Sequence, residues 1–119
     1  MASIKNFKFE EFASPDLKGS GVNMDIGFLQ MLDNARTIAD VPFKINSGYR
    51  TEKHNKKVGG KKTSSHLRGF AADISCTDSS NRQKITSALI KAGFNRLGIA
   101  DSFIHVDNDS SKKPAIWLY

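Results

Sequence analysis

The stretch TSSHLRGFAAD, residues 63–73, joins a polar, basic segment to an apolar one. Asp73 follows His66 by seven residues and lies inside the apolar run FAADIS, where a carboxylate needs a partner or a metal. Seven residues span about 10.5 Å along a straight helix and roughly 23 Å along a strand. Both distances are too long for two ligands of one ion, so we expect the chain to fold back, and Gly69 permits the turn.

Two segments outside this stretch have the apolar spacing of helices. Residues 25–39 carry a broad apolar face, and Asn23 or Asp25 is a candidate for the N-cap. A second helix is predicted to begin at a capping box formed by Ser80 and Gln83.

Five short segments have the alternating or continuous apolar pattern of strands: residues 43–46, 71–75, 96–100, 103–107 and 115–119. The third and fourth are joined through Asp101 and Ser102, and the polar residues 47–65 are predicted to form a long loop. This mixture predicts an α+β fold, with a small, largely antiparallel sheet and two main helices. We expect a single domain that spans residues 1–119.

Composition limits the classes of partner. The 119 residues carry a net charge of +6, which favours nucleic acid, an acidic membrane or an anionic cell-wall polymer. The single cysteine excludes an intramolecular disulfide. The N-terminal segment lacks the apolar core of a Sec signal, and no apolar run approaches the length of a membrane span.

A second histidine has the same setting as His66, at a border between polar and apolar sequence. His105 lies in the run FIHVD, which we expect to be a core strand. Two histidines and the aspartate Asp73 are a donor set that suits a zinc site with three protein ligands and one open position. A lone histidine is more often a surface or core residue, and the combination of the three favours a metal.

The same residues resemble a known family. Ser64, His66, Gly69, Ala71 and Asp73 fit the pattern S-x-H-x-x-G-x-A-x-D, with INSGYR before it and FIHVD after it. This combination resembles the M15 zinc peptidases, which are D-Ala-D-Ala carboxypeptidase-like enzymes that share a fold with Hedgehog signalling domains. The similarity is greatest to the small members common in phage genomes, and it extends over about residues 7–107.

The resemblance implies a role for each matched residue. His66, Asp73 and His105 would be the ligands of Zn²⁺. Arg50 would contact substrate and stabilise the developing oxyanion, with Ser47 as its companion, and Ser64 would also bind substrate. Zinc chemistry is consistent with these roles, because the ion polarises a carbonyl and lowers the pKa of a water, while a guanidinium binds a carboxylate or an oxyanion.

The general base departs from the family pattern. Many relatives have an acid three residues before the last histidine ligand, and others have a histidine two residues before it. Ser102 and Phe103 occupy these positions here. Asp101, at the predicted turn, is our candidate for the base. Asp107 is an alternative, either as base or as a residue that orients His105 or Arg50, and His54 is a third candidate for the base.

A lysine cluster lies between Arg50 and His66, at positions 53, 56, 57, 61 and 62. It indicates either a solvated loop or a surface that attracts anionic wall polymer and borders the substrate site. Nucleic acid is a weaker interpretation, because no aromatic residues are interleaved with these lysines.

These observations lead to one leading function and two alternatives. The leading function is a zinc peptidase that hydrolyses peptidoglycan stem peptides, as a D-Ala-D-Ala carboxypeptidase or as an endolysin-type endopeptidase. One alternative is a zinc-containing wall-binding or structural module with impaired catalysis, and the other is a basic nucleic-acid binder. We expect a monomer made in the cytoplasm that acts on the wall after phage-type release or as a virion component.

Overall fold

A five-stranded sheet organises the protein, and the computed structural model describes residues 4–119. The strand order is β1-β2-β4-β3-β5, and every neighbouring pair is antiparallel except β3 and β5, which are parallel. The strands are β1 (Ile45–Ser47), β2 (Ala71–Ser75), β3 (Arg96–Ile99), β4 (Phe103–Asp107) and β5 (Ala115–Leu118). The α+β class, the largely antiparallel sheet and the β3–β4 hairpin are confirmed.

The two predicted main helices are present. Helix α1 (Ile26–Ala39) begins after Asp25, whose side chain accepts a hydrogen bond from the backbone N–H of Phe28 at 2.9 Å. Helix α3 (Ser79–Lys91) packs against α1. The predicted capping box of α3 is wrong, because Asp78 is the N-cap and accepts from the backbone N–H of Asn81 at 3.0 Å.

The segment predicted as one long loop contains a helix. Helix α2 (Glu52–Lys57) begins after Thr51, whose hydroxyl accepts from the backbone N–H of His54 at 3.1 Å. The helix has only one buried residue, Asn55, so its sequence lacks the apolar periodicity that identifies a helix. A capped, charged turn of this kind is easily mistaken for a loop.

The sheet has one core face and one polar face. Alternate residues of the central strands are fully buried in the same apolar cluster as α1 and α3; they include Ala72, Ile74, Leu97, Ile104 and Val106. The residues between them point to the other face, because side chains alternate along a strand. Within residues 4–119, no helix is both long and apolar enough to cross a bilayer.

Candidate metal centre

One row of residues crosses the polar face of the sheet. Each member lies beside the next on the neighbouring strand, in the order Ser47, Asp73, His105, Gly98 and Trp117 from β1 to β5. Residues paired across strands have their side chains on the same face of the sheet. The register therefore brings together Asp73 and His105, which are 32 positions apart in the sequence.

His66 reaches this row from a short 3-10 helix, Ser65–Arg68, that precedes β2. Ser64 is its N-cap and accepts a hydrogen bond from the backbone N–H of His66 at 3.3 Å. Gly69 ends the helix in the left-handed conformation, with a φ of 75°. The chain folds back here and places His66 beside Asp73, as predicted.

The three side chains converge on a single point. The distance from His66 Nε2 to Asp73 Oδ1 is 3.4 Å, and the distance from His105 Nδ1 to the same oxygen is 3.0 Å. One donor atom from each residue lies within 4.8 Å of the other two. Two imidazole nitrogens and one carboxylate oxygen are a donor set that zinc accepts. The residues therefore fit a zinc ion.

The second nitrogen of each histidine is held by the protein. His66 Nδ1 lies 2.7 Å from the carbonyl oxygen of Gly48, which can only accept, so this nitrogen carries the proton. His105 Nε2 lies 2.7 Å from Asp107 Oδ2 and donates to that carboxylate. These bonds fix the tautomer and orientation of both rings, and they leave His66 Nε2 and His105 Nδ1 available for a metal.

Electrostatics favours an ionised Asp73. Burial opposes its charge, but hydrogen bonds with His105 and His66 and the charges of these rings hold the pKa of the carboxyl well below its usual range. Burial also opposes protonation of His105, and the hydrogen bonds with Asp107 and Asp73 outweigh it, so the pKa of the imidazole is raised. A proton therefore competes with a metal for His105.

Arg50 lies directly beside the centre. Its Nε donates to Ser47 Oγ at 3.0 Å, and its Nη2 donates to Asp73 Oδ2 at 3.4 Å. A third bond, from Nη1 to Asn55 Oδ1 at 3.3 Å, completes the anchoring of the guanidinium. Its side chain is only 15% exposed, so a group that approaches Asp73 meets a fixed, largely desolvated cation.

The centre opens into a cavity of about 520 Å³. The candidate ligands line it together with Arg50, Ser64, Lys61, Lys112, Trp117 and Tyr119. A neighbouring cavity of about 460 Å³ shares Arg50, Thr63, Ser64 and Lys112 with it. Ser47 does not line the main cavity, and it is linked to the cavity indirectly, by its hydrogen bond with Arg50.

The two candidate bases occupy different environments. Asp101 is exposed at the β3–β4 turn and is not among the residues that line the cavity. Asp107 lines the cavity but is only 1% exposed, and its oxygens accept from His105, from Arg96 Nε at 2.7 Å and from the backbone N–H of Asp109 at 3.1 Å. In this geometry Asp107 holds the His105 ring through a hydrogen bond, so orienting that ring is its candidate role.

Sequence reasoning missed several residues around the centre. Arg96 forms an ion pair with Asp107 across β3 and β4. The register of the β3–β4 hairpin places these two residues opposite each other, so this register is the signal that could have identified Arg96. Asp109 is buried and accepts from Ser65 Oγ at 2.6 Å and from Arg68, so it ties the 3-10 helix to the loop after β4. The local sequence does not mark the link to the 3-10 helix, because Ser65 and Arg68 are more than 40 positions away from Asp109.

Comparison with known proteins agrees with this geometry. The family described as Peptidase M15 matches residues 5–107, which include all three candidate ligands and Arg50. Among curated proteins, none matches the chain. A family match that covers most of the chain, together with a His-Asp-His cluster on the matched residues, establishes that the chain belongs to the Peptidase M15 family.

Proposed function

We propose that the protein is a zinc-dependent peptidase that hydrolyses peptide bonds in peptidoglycan stem peptides. The observation that carries the proposal is the convergence of His66, Asp73 and His105 within 4.8 Å, beside the guanidinium of Arg50. When bound, zinc supplies a Lewis acid that polarises the scissile carbonyl and activates water. The M15 family assignment supports a peptidase, and stem peptides are the substrates that the family resemblance implies.

The side chains of this protein would then have separate tasks. His66, Asp73 and His105 hold the ion, and Gly48 and Asp107 keep the two imidazoles in the required tautomers. Arg50, fixed by Ser47 and Asn55, binds the terminal carboxylate of the substrate or the oxyanion that develops at the scissile carbon. A carboxylate bound at Arg50 corresponds to a D-Ala-D-Ala carboxypeptidase, and a bound oxyanion suits either that enzyme or an endolysin-type endopeptidase.

Surface charge supports an anionic cell-wall polymer as a second partner. Lys53, Lys56 and Lys57 are exposed on α2, and Lys61 and Lys62 are exposed in the loop that follows. Lys61 lines the cavity itself, so the basic surface continues to the site. We propose that one domain over residues 1–119 acts on the wall as a monomer, after phage-type release or as a virion component.

A wall-binding module with impaired catalysis is the second candidate. Ser102 and Phe103 occupy the positions where relatives have the base, and Asp101 lies outside the cavity lining. These features favour a protein that keeps zinc and fold but does not turn over substrate.

Metal analysis and zymography separate the two candidates. We expect about one zinc per chain in the purified protein and near-complete loss in His66→Ala and His105→Ala, because two ligands cannot hold the ion tightly. Bound metal should also decrease as pH falls through the histidine range. On gels that contain purified cell wall, the zinc-loaded protein should give a clearing zone that chelator abolishes. Full zinc occupancy in both variants would refute the site, and zinc without clearing would favour the binding module.

A further inference from the structure

Two aromatic side chains from β5 line the cavity beside the candidate metal centre. Trp117 and Tyr119 point to the cavity, while Ile116 and Leu118 alternate with them along the strand. This strand lies beyond residues 5–107, which match the M15 family. The family match therefore assigns no role to either aromatic residue.

Trp117 is held by three contacts on the polar face of the sheet. Its ring centroid lies 5.5 Å from that of His105, and the guanidinium carbon of Arg96 lies 4.9 Å from the indole centroid. A Cβ at Gly98 would lie only 2.5 Å from the indole Nε1, so the missing side chain at position 98 makes room for the ring. Trp117 is thus a fixed part of the cavity.

Tyr119 continues this aromatic surface beyond Trp117. Its ring centroid lies 5.1 Å from that of Phe103 and 6.4 Å from that of Trp117. A Cβ at Gly98 would also lie 2.6 Å from Tyr119 Cε2. Tyr119 remains 67% exposed, so much of its ring is free to contact a ligand.

Cationic side chains line the same cavity. Arg50, Lys61 and Lys112 are among its lining residues, and Arg50 Nη2 lies 3.4 Å from Asp73 Oδ2. The cavity thus combines an aromatic surface with fixed positive charge. A ligand that is complementary to both features carries an apolar side chain and a carboxylate, as a short peptide with C-terminal alanine does.

We propose that Trp117 and Tyr119 form an aromatic wall that binds the apolar side chains of a carboxylate-bearing peptide, with its carboxylate at Arg50. This proposal rests on the peptidase function proposed above and names the part of the cavity that selects the peptide. Tyr119 contacts the substrate through its ring, and Trp117 forms the inner end of the wall.

Intrinsic fluorescence reports on this wall directly, because Trp117 is the only tryptophan of the protein. The stem pentapeptide L-Ala-γ-D-Glu-L-Lys-D-Ala-D-Ala is mixed with the zinc-loaded protein in a stopped-flow instrument, and the emission change before turnover gives a Kd. Acetate serves as a ligand that has the carboxylate alone. We expect a saturable change with the pentapeptide and a much weaker one with acetate.

Three variants test the wall. Tyr119→Ala should raise both Kd and KM for the pentapeptide about tenfold, because an aromatic contact is lost, and should change kcat less. Tyr119→Phe should stay close to wild type, because it keeps the ring. Leu118→Ala is the matched control, since Leu118 is 81% exposed on the opposite side of the same strand. Zinc content and far-UV circular dichroism should be the same in all four proteins.

The outcomes distinguish the wall from the peptidase function. If the wild type binds the pentapeptide through Tyr119 but does not cleave it, the proposed aromatic wall is supported and the proposed peptidase function is refuted. A wild type that cleaves, with unchanged Kd and KM in Tyr119→Ala, would overturn the wall alone. An equal loss in Leu118→Ala, or a loss in Tyr119→Phe as large as in Tyr119→Ala, would also overturn it. A wild type that neither binds nor cleaves would overturn both.

Discussion

At the scale of single residues, the four aspartates Asp73, Asp101, Asp107 and Asp109 differ because their surroundings differ. Asp73 faces both candidate histidine ligands, and Asp107 faces His105 and Arg96. Asp109 is buried among hydroxyl groups and Arg68, whereas Asp101 is exposed at a turn. One residue type therefore serves as candidate ligand, orienting group, structural link and surface charge.

Arg50→Lys should separate geometry from charge at the centre. Lysine keeps the positive charge but loses the planar fork and the Nε bond to Ser47, so we expect kcat/KM for stem peptides to fall by about 10²–10³. Zinc content should stay at the wild-type level. Arg82→Lys is the control, because Arg82 lies on α3 and does not line the cavity. Wild-type turnover by Arg50→Lys would remove Arg50 from the active site.

Asp107→Asn and Asp101→Asn test the assignment of the two carboxylates. Loss of the carboxylate that orients His105 should lower zinc affinity by about 10–100-fold, measured by competition with a chelator. Asp101→Asn should retain zinc and most activity, because Asp101 does not line the cavity. If Asp101→Asn instead keeps zinc and loses about 10²–10⁴ in rate, Asp101 is the general base that the sequence predicted.

At the scale of elements, the 3-10 helix Ser65–Arg68 is the part that completes the centre. It carries His66, and its position depends on the close approach of Gly69 to the chain before α1. The backbone N–H of Asp25 donates to the carbonyl oxygen of Gly69 at 3.0 Å. The N-cap of α1 and the end of the 3-10 helix are therefore joined, so a core helix supports a candidate ligand.

Gly69→Ala and Gly59→Ala form a matched pair that tests this contact. Both glycines have positive φ, 75° and 76°, so each alanine carries a similar backbone strain of about 1–2 kcal/mol. A Cβ at Gly69 would lie 2.4 Å from the carbonyl oxygen of Asn23, whereas one at Gly59 meets no atom within 4 Å. We expect urea unfolding to show an additional loss of about 1–3 kcal/mol for Gly69→Ala. Equal stability of the two variants would contradict the close approach.

At the scale of the whole molecule, the loop after β4 is hydrogen-bonded to the segment that carries His66. Asp109 accepts from Ser65 and Ser111, and Lys112 donates to the carbonyl oxygen of Thr63 at 2.8 Å. Burial opposes the charge of Asp109, but the hydrogen bonds from Ser111 and Ser65 and the guanidinium of Arg68 hold its pKa well below the usual range. The contact between these two segments, which are more than 40 positions apart in the sequence, therefore depends on one ionised carboxylate.

The direction of this pKa shift predicts how stability depends on pH. The pKa of Asp109 is lower in the folded state than the value of about 4 in the unfolded chain. Its contribution is therefore fully present above pH 4 and is lost as pH falls towards the folded-state pKa. Chemical unfolding of the metal-free protein between pH 7 and pH 2 should show this loss.

Asp109→Asn isolates this carboxyl from the other groups that titrate in acid. The variant should be less stable than wild type at pH 7, and the difference should shrink below pH 4. Asp40→Asn is the control, because Asp40 is an exposed C-cap residue of α1. A constant difference between Asp109→Asn and wild type at every pH would show that the charge of Asp109 does not stabilise the fold.

Local patterns in the sequence determined the parts of this protein that depend on nearby residues. The periodicity of residues 25–39 predicted α1, and the two short apolar runs around Asp101 predicted the β3–β4 hairpin. The spacing of His66 and Asp73, with Gly69 between them, predicted the turn that the 3-10 helix forms. In each case the signal lies within a few residues of the chain, so the sequence alone is sufficient to predict the element.

Tertiary structure decided everything that depends on strand register. Only the pairing of β2 with β4 puts Asp73 beside His105, and only the parallel pairing of β5 with β3 brings Trp117 to the same row. The ion pair of Arg96 with Asp107 follows from the same register. Register is set by packing of the whole core, because a slip of one residue would move every side chain of a strand to the other face.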